Sequence, residues 1–250
     1  MATRAACRLF EALMDEENGG LLLEAGPAYY GPVVKALLVH RARWRAEAAD
    51  LMEIQGPARQ GRDVERKDAI ARLIGYGRPD IEEALTCASN RATLIGYGEI
   101  SADQVVAEYR APLPRSLERV VEPRVVTLTL AWLSPVNVRH RMYRCAKLDL
   151  VPGSNLNGSD GFVERAKLQP SHHSVRRGSL LHLRYEGRKA TSFVDDGHLH
   201  FTVSCSAPAG ELNDAVRYGL AVTIEAGEGI RVYDEVRQGL TVPARVGGTP

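Results

Sequence analysis

MATRAACRLFEALM, residues 1–14, reads as an amphipathic helix already under way at its first residue. Ala2, Ala5, Ala6, Leu9, Phe10 and Leu13 recur at the i, i+3, i+4 spacing of one buried face, while Arg4, Arg8, Glu11 and Asp15 hold the other. A helix ordinarily opens with Ser, Thr, Asp or Asn as N-cap and with acidic side chains in its first turn. Here Met1 leads directly into Ala-Thr-Arg. The face is small at its front end, which suits close packing against a sheet, so the stretch reads as the continuation of something upstream.

Outward from it, Asn18-Gly19-Gly20 is a stop signal and Leu21-Leu22-Leu23 a short apolar run able to dock on the helix's own support. Pro32 reads as the first position of a second helix that presents Val33, Val34, Leu37 and Leu38 inward and extends toward Trp44. Residues 59–72 are highly charged, with Val64 and Ile70 as large apolar groups ahead of Leu73, and predict a solvated insertion or helix. Pro79, Asp80, Glu82 and Glu83 make a further helix start, with Ile81, Ala84 and Leu85 on its inner side. Leu-Ile-Gly-Tyr-Gly occurs at Leu73–Gly77 and again at Leu94–Gly98. Two copies with dissimilar neighbours are not a repeat architecture, and glycines around a tyrosine point to sharp reversals or close backbone contacts rather than to a ligand loop.

From Val105 onward the helical period gives way to alternating and β-branched runs at Val120–Val121, Val125–Leu133, Met142–Val151, Leu180–Tyr185, Leu199–Ser204, Val216–Glu225 and Ile230–Val236. Ser134-Pro135, Pro152-Gly153, Asn157-Gly158, Asp195-Asp196-Gly197 and Gly227-Glu228-Gly229 punctuate them. Val126, Leu128, Leu130 and Trp132 alternating with Thr127, Thr129 and Ala131 predict a strand at the centre of a sheet. The fold class expected is therefore α+β: a helical portion over 1–103, then a jelly-roll-like β-sandwich over 104–250.

The chain of 250 residues is 44% hydrophobic and 25% charged with a net charge of +1, globular values that give no reason to expect a polyanionic partner. Cys7, Cys87, Cys145 and Cys205 form no C-x-x-C pair and fit reduced thiols, hence a cytoplasmic compartment. No apolar run approaches the ~20 residues of a membrane span, and Arg4 and Arg8 are not followed by the apolar region of a signal peptide. Residues 1–103 offer several apolar helix faces but few strands. Leaving Leu9, Phe10 and Leu13 half covered forgoes roughly 1.5–3 kcal/mol each, so cover from outside the chain is expected.

These features meet in one family. Ala2-Thr3-Arg4-Ala5-Ala6-Cys7-Arg8-Leu9-Phe10 resembles the buried helix that follows the catalytic serine of subtilisin-like (S8) peptidases, and Val33–His40 the next helix of that fold. Gly75-Tyr76-Gly77 followed by Ile81-Glu82-Glu83-Ala84-Leu85 resembles the family's closing segment. Leu130–Asn137 and Tyr218–Glu225 are similar to the β-sandwich appended in a bacterial branch linked to phage defence and often encoded beside an AAA ATPase. The resemblance implies a serine endopeptidase system in which this chain is the C-terminal part, partnered by an upstream catalytic half and an AAA ATPase. A Ser nucleophile, His base, orienting Asp and oxyanion-hole Asn are what such a site requires. The sequence has no Gly-Thr-Ser, Asp-Thr-Gly, Asp-Ser-Gly or His-Gly. No catalytic, cofactor or metal residue is therefore assigned, and the chain alone is expected to be inactive.

Other constellations have both a functional and a plain reading. His198 and His200 share a strand face and, with His182, make a conceivable zinc site of a hydrolase; as cross-strand or surface histidines they need no metal. His172-His173 beside Arg176-Arg177 reads as a solvated loop, and Asp195-Asp196-Gly197 with Glu186 as a hairpin turn or a calcium loop. Arg139-His140-Arg141-Met142-Tyr143-Arg144 and the arginines from Arg41 to Arg45 around Trp44 fit a nucleic-acid surface, a solvated edge or a salt-bridge network. Ser134 reads as a turn residue. The alternative from another class is a stand-alone, non-enzymatic module that binds protein or glycan.

Overall fold

A computed structural model describes residues 2–44, 46–54, 63–153, 156, 164–165, 178–188, 192–193, 197–210 and 212–240. Its strands are β1 (Arg91–Ile100), β2 (Val106–Pro112), β3 (Arg124–Trp132), β4 (Lys147–Pro152), β5 (Glu164–Arg165), β6 (Leu180–Gly187), β7 (His198–Ser206) and β8 (Val216–Ala226). They form a five-stranded sheet, β1-β8-β3-β6-β5, and a three-stranded sheet, β2-β7-β4. The helices are α1 (Ala2–Met14), α2 (Leu21–Ala25), α3 (Pro27–His40), α4 (Ala46–Ile54), α5 (Asp63–Ile74), α6 (Ile81–Leu85) and α7 (Val232–Gly239). The α+β class is thus met.

β3 shows how the layers arise. Val126, Leu128, Leu130 and Trp132 bury themselves between the two sheets, against Leu148, Leu150, Leu199, Phe201 and Val203 of the smaller one. The alternate residues Thr127, Thr129 and Ala131 point the other way and are equally buried, because α3 lies across that face. β3 stands at the centre of its sheet, paired with both β6 and β8, as its alternation predicts.

Gly219 sets the distance between helix and sheet. A Cβ there would lie 2.6 Å from both Cα and N of Val33, so the backbone of α3 rests directly on β8. The helix starts at Pro27, where a missing N–H costs nothing, and not at Pro32, which lies inside it. α6 begins as expected: the Asp80 carboxylate accepts from Glu83 N–H at 3.1 Å. Replacing Asp80 by alanine should cost about 1 kcal/mol in an unfolding titration.

Several expectations are corrected. Leu9 and Leu13 are buried within the chain, in a cluster with Leu22 of α2, Val33 and Leu37 of α3, Ala84 of α6 and Ala221 of β8, with Phe10, Ile95 and Tyr97 packed beside them. The cover expected from outside comes from α2, α3 and α6, carried on the sandwich's own sheet. All strand pairings among the described residues are antiparallel. The second Leu-Ile-Gly-Tyr-Gly is no reversal but part of β1, paired with β8 from Arg91↔Glu225 to Ile100↔Val216. The 103/104 boundary therefore falls in the link between β1 and β2, with sandwich strands on both sides of it. In the first copy the contact reading holds: Gly77 has φ +99°, and a Cβ on it would strike the Arg43 carbonyl.

Of the stretch Ile230–Val236, expected as a strand, the part from Val232 onward is helical. Val232 and Val236, four apart, form one buried stripe, and Asp234 and Glu235 in the first turn with Arg237 in the last suit the helix dipole. Val120–Val121 is part of a loop that wraps the buried Arg124, whose guanidinium donates to the backbone oxygens of Leu117, Val120 and Glu122.

Candidate functional site

A buried polar arrangement lies where α3 crosses the five-stranded sheet. His40, the last residue of α3, reaches Thr129 of β3 through Nδ1 and Thr223 of β8 through Nε2, each at 2.7 Å. Thr129 Oγ1 also lies 2.7 Å from His182 Nδ1 on β6, and Thr223 Oγ1 lies 2.8 Å from Thr93 on β1. One consistent set of tautomers runs in a single direction. Thr93 donates to Thr223, Thr223 to His40 Nε2, His40 Nδ1–H to Thr129, and Thr129 to His182 Nδ1.

Both imidazoles are held neutral. Burial pushes His40 well below the usual histidine value, with the charges of His182 and Arg41 adding to the effect. Burial, then Arg184 and Arg41, lowers His182 to about 3. Tyr76 stacks edge-on against His182 at 5.7 Å, and burial raises its phenol to about 12.

Beside this chain runs an ionic seam. The buried Arg41 pairs with Glu225 of β8 at 3.1 Å and with Glu83 of α6. Glu83 also takes Arg43 and Arg91, each at 3.0 Å, while Trp44 Nε1 donates to the Gly75 carbonyl. The Arg41–Trp44 stretch thus serves a salt-bridge network inside the fold, and Arg45 lies outside the described residues. Toward the other end of α3, Lys35 Nζ donates to Trp132 O at 3.3 Å, Ser179 O at 3.0 Å and Ser179 Oγ at 2.6 Å. A lysine beside a serine has the outline of a base–nucleophile pair. All three hydrogens of this ammonium are spent on those acceptors, so Ser179 Oγ accepts from Lys35, and the contact ties α3 to the sheet.

What the hydrogen-bonded chain from Thr93 to His182 can do chemically follows from its burial. His40, Thr129 and Thr223 are at most 2% exposed, so substrate has no access to them. It fixes the register of α3 on the sheet and is not an active site. The three-histidine zinc site is not assembled: His182 faces α3, whereas His198 and His200 sit together, 6.4 Å apart, on the outer face of β7. Among the described residues no group of His, Cys, Asp or Glu is placed to hold a metal. Ser134 accepts from Ala146 N–H at 3.0 Å inside its turn, in keeping with a structural role. His172, His173, Arg176, Arg177, Asp195 and Asp196 lie outside the described residues.

Sequence reasoning passed over His40, Thr223 and Lys35. The one signal available was the Thr127/Thr129 alternation, polar groups on a strand face that a helix then covers.

Depressions in the surface of the described residues include these two. One of about 250 Å³ lies between α1 and the start of α6, lined by Arg4, Arg8, Arg78 and Asp80 among others; one of about 440 Å³ lies beside the loop after β3. No histidine lines either.

No family model and no curated protein matches this chain. Among solved structures, the acid-stable capsid of Helicobacter pylori bacteriophage KHP30 aligns at 9% identity over 54% of this chain and 90% of that one, with a TM-score of 0.26. Israel acute paralysis virus aligns at 12% identity over 59% and 80%, again with a TM-score of 0.26. Scores so low carry no argument about fold or function.

Proposed function

We propose that this chain is the non-catalytic C-terminal part of a subtilisin-like serine endopeptidase, working beside a catalytic half that supplies the Ser, His, Asp and Asn side chains. The observation that carries the reading is the arrangement of the segments that resemble the family. α1 and α3 pack on each other, and α6 packs on both, in the family's chain order. The burial of Leu9 and Leu13 withdraws the separate argument from uncovered surface, so the reading rests on the resemblance and this arrangement.

The sandwich is read as a jelly roll: the strand orders 1-8-3-6-5 and 2-7-4 support two nested Greek keys in every strand but β5, which joins β6 instead of β4. Its place is to steady the catalytic part or to present substrates and an AAA ATPase partner. The unpaired thiols, with Cys7 and Cys87 exposed, support a reducing, cytoplasmic compartment. No helix among the described residues is long and apolar enough to cross a membrane.

Co-expression with the product of the coding region directly upstream tests the proposal. The expected result is a stable complex that hydrolyses casein and is silenced by a serine reagent, with no hydrolysis by the purified chain alone. Failure of the two to associate, or serine-reagent-sensitive hydrolysis by the chain alone, would overturn it. The second reading, a stand-alone binding module, is favoured by the self-contained burial of Leu9 and Leu13. It requires a monomer of full stability with no affinity for the upstream product.

A further inference from the structure

The loop between β3 and β4 is built from within and apolar without. Asn137 N–H donates to Tyr143 O at 2.6 Å, His140 N–H to Asn137 O at 3.1 Å, Tyr143 N–H to His140 O at 2.9 Å and Cys145 N–H to Pro135 O at 2.9 Å. Side chains finish the scaffold: Asn137 Oδ1 accepts from Arg139 N–H and His140 Nδ1 from Met142 N–H, each at 3.1 Å. Such a loop has a defined shape. What it shows to water is Val138, Arg139, His140, Arg141, Met142 and Tyr143, six consecutive exposed residues. Val138 is 85% exposed, Met142 57% and Tyr143 54%, and Leu133 and Val136 nearby are more than half exposed.

Single exposed apolar side chains need no explanation, but a cluster rimmed by polar groups marks a contact surface. A second observation agrees. Tyr143 is held at φ +39°, a left-handed conformation that costs a bulky residue energy and is retained where the surroundings impose it. The rim is basic. Arg139, Arg141 and Arg144 surround the apolar residues, and Lys35 stands near the loop's base, its pKa lowered by burial and then by the charge of Arg144. The adjoining depression, lined by Val136, Asn137, Val138, Arg139, Cys145 and Asp214, offers room beside the tip for an inserted side chain.

We propose that this loop is a docking site for an acidic polypeptide segment whose carboxylates alternate with large apolar side chains. Carboxylates meet Arg139 and Arg141, and the apolar groups cover Val138, Met142 and Tyr143. A protein segment fits better than nucleic acid or an anionic membrane. Half of the exposed tip is apolar, Val138, Met142 and Tyr143, and calls for large apolar side chains as well as anions, which a phosphate backbone does not supply. The inference is independent of the peptidase reading.

Fluorescence anisotropy on the full chain tests it, using a short labelled peptide in which Asp and Glu alternate with Leu and Phe, and the same peptide with Lys in place of each acid. The acidic peptide should bind, weaken as salt is raised, and lose affinity by about tenfold or more with Arg139→Glu/Arg141→Glu. Val138→Ser/Met142→Ser should weaken binding several-fold while leaving the salt dependence in place. All four residues are exposed, so the thermal midpoints of these variants should match the parent's. The proposal is overturned by no binding of the acidic peptide, by equal binding of the lysine peptide, or by undiminished binding in the charge-reversed variant. It is also overturned if phosphatidylserine vesicles or oligothymidylate bind this loop in preference to the peptide.

Discussion

Gly219→Ala should destabilise the chain by about 3 kcal/mol, a large effect for one methyl group. The added Cβ would fall 2.6 Å from Val33 N and Cα and 2.7 Å from the Pro32 carbonyl carbon. These are main-chain atoms in the interior of α3, so no side chain can swing aside. The helix can retreat only by loosening the packing of Val33, Ala36 and Leu37 and stretching the bonds of Lys35 and His40 to the sheet. Gly31→Ala is the matched control on the same helix. Its Cβ would meet only Leu133 Cδ1 at 3.4 Å, an ordinary contact, and alanine gains up to about 1 kcal/mol over glycine inside a helix. Denaturant unfolding of both variants decides the matter. A Gly219→Ala protein as stable as the parent would mean that α3 does not rest on β8 as described.

Acid should loosen the same interface. An unfolded chain takes up a proton at each histidine near pH 6.5, whereas in the folded chain His182 does so only near 3 and His40 is likewise depressed. The unfolded state therefore binds more protons as pH falls below the ordinary histidine value. The stability carried by the two neutral rings is complete above about pH 6.5 and is lost progressively below it. Between pH 7 and pH 5 the His182 ring should account for about 2 kcal/mol of lost stability, and His40 should add to the loss in the same direction. Most carboxylates remain ionised over that window, which isolates the histidines. His182→Leu should reduce the pH dependence by the His182 share, about 2 kcal/mol. Equal stability of the parent at the two pH values would contradict the neutral, hydrogen-bonded chain from Thr93 to His182.

How far the sequence anticipates this structure depends on how local the deciding interaction is. The α1 face, the Asp80 cap and the β3 alternation are legible because their determinants lie within a few residues of one another. Ile230–Val236 reads as strand because β-branched residues cluster there, yet Val232 and Val236 are spaced for a helix that packs them into the core of the sandwich. The interface between α3 and the sheet has no local signature. His40 bonds Thr129 across 89 positions and Thr223 across 183, and nothing near any of the three foretells the others. For the same reason the cover on Leu9 and Leu13 is hidden: α3 can seal that face because β8 and β3, far along the chain, support it from below. The Arg139–Arg144 run is visible as charge, but only the folded loop shows that Val138, Met142 and Tyr143 share its tip.

The peptidase reading stands or falls on the codons immediately 5′ of Met1. If α1 is the helix that follows a catalytic serine, sequencing that region should reveal in-frame Gly-Thr-Ser within about two helical turns of Ala2. An in-frame stop at that place, or coding sequence without the motif, would contradict it and leave the stand-alone binding module as the function to pursue.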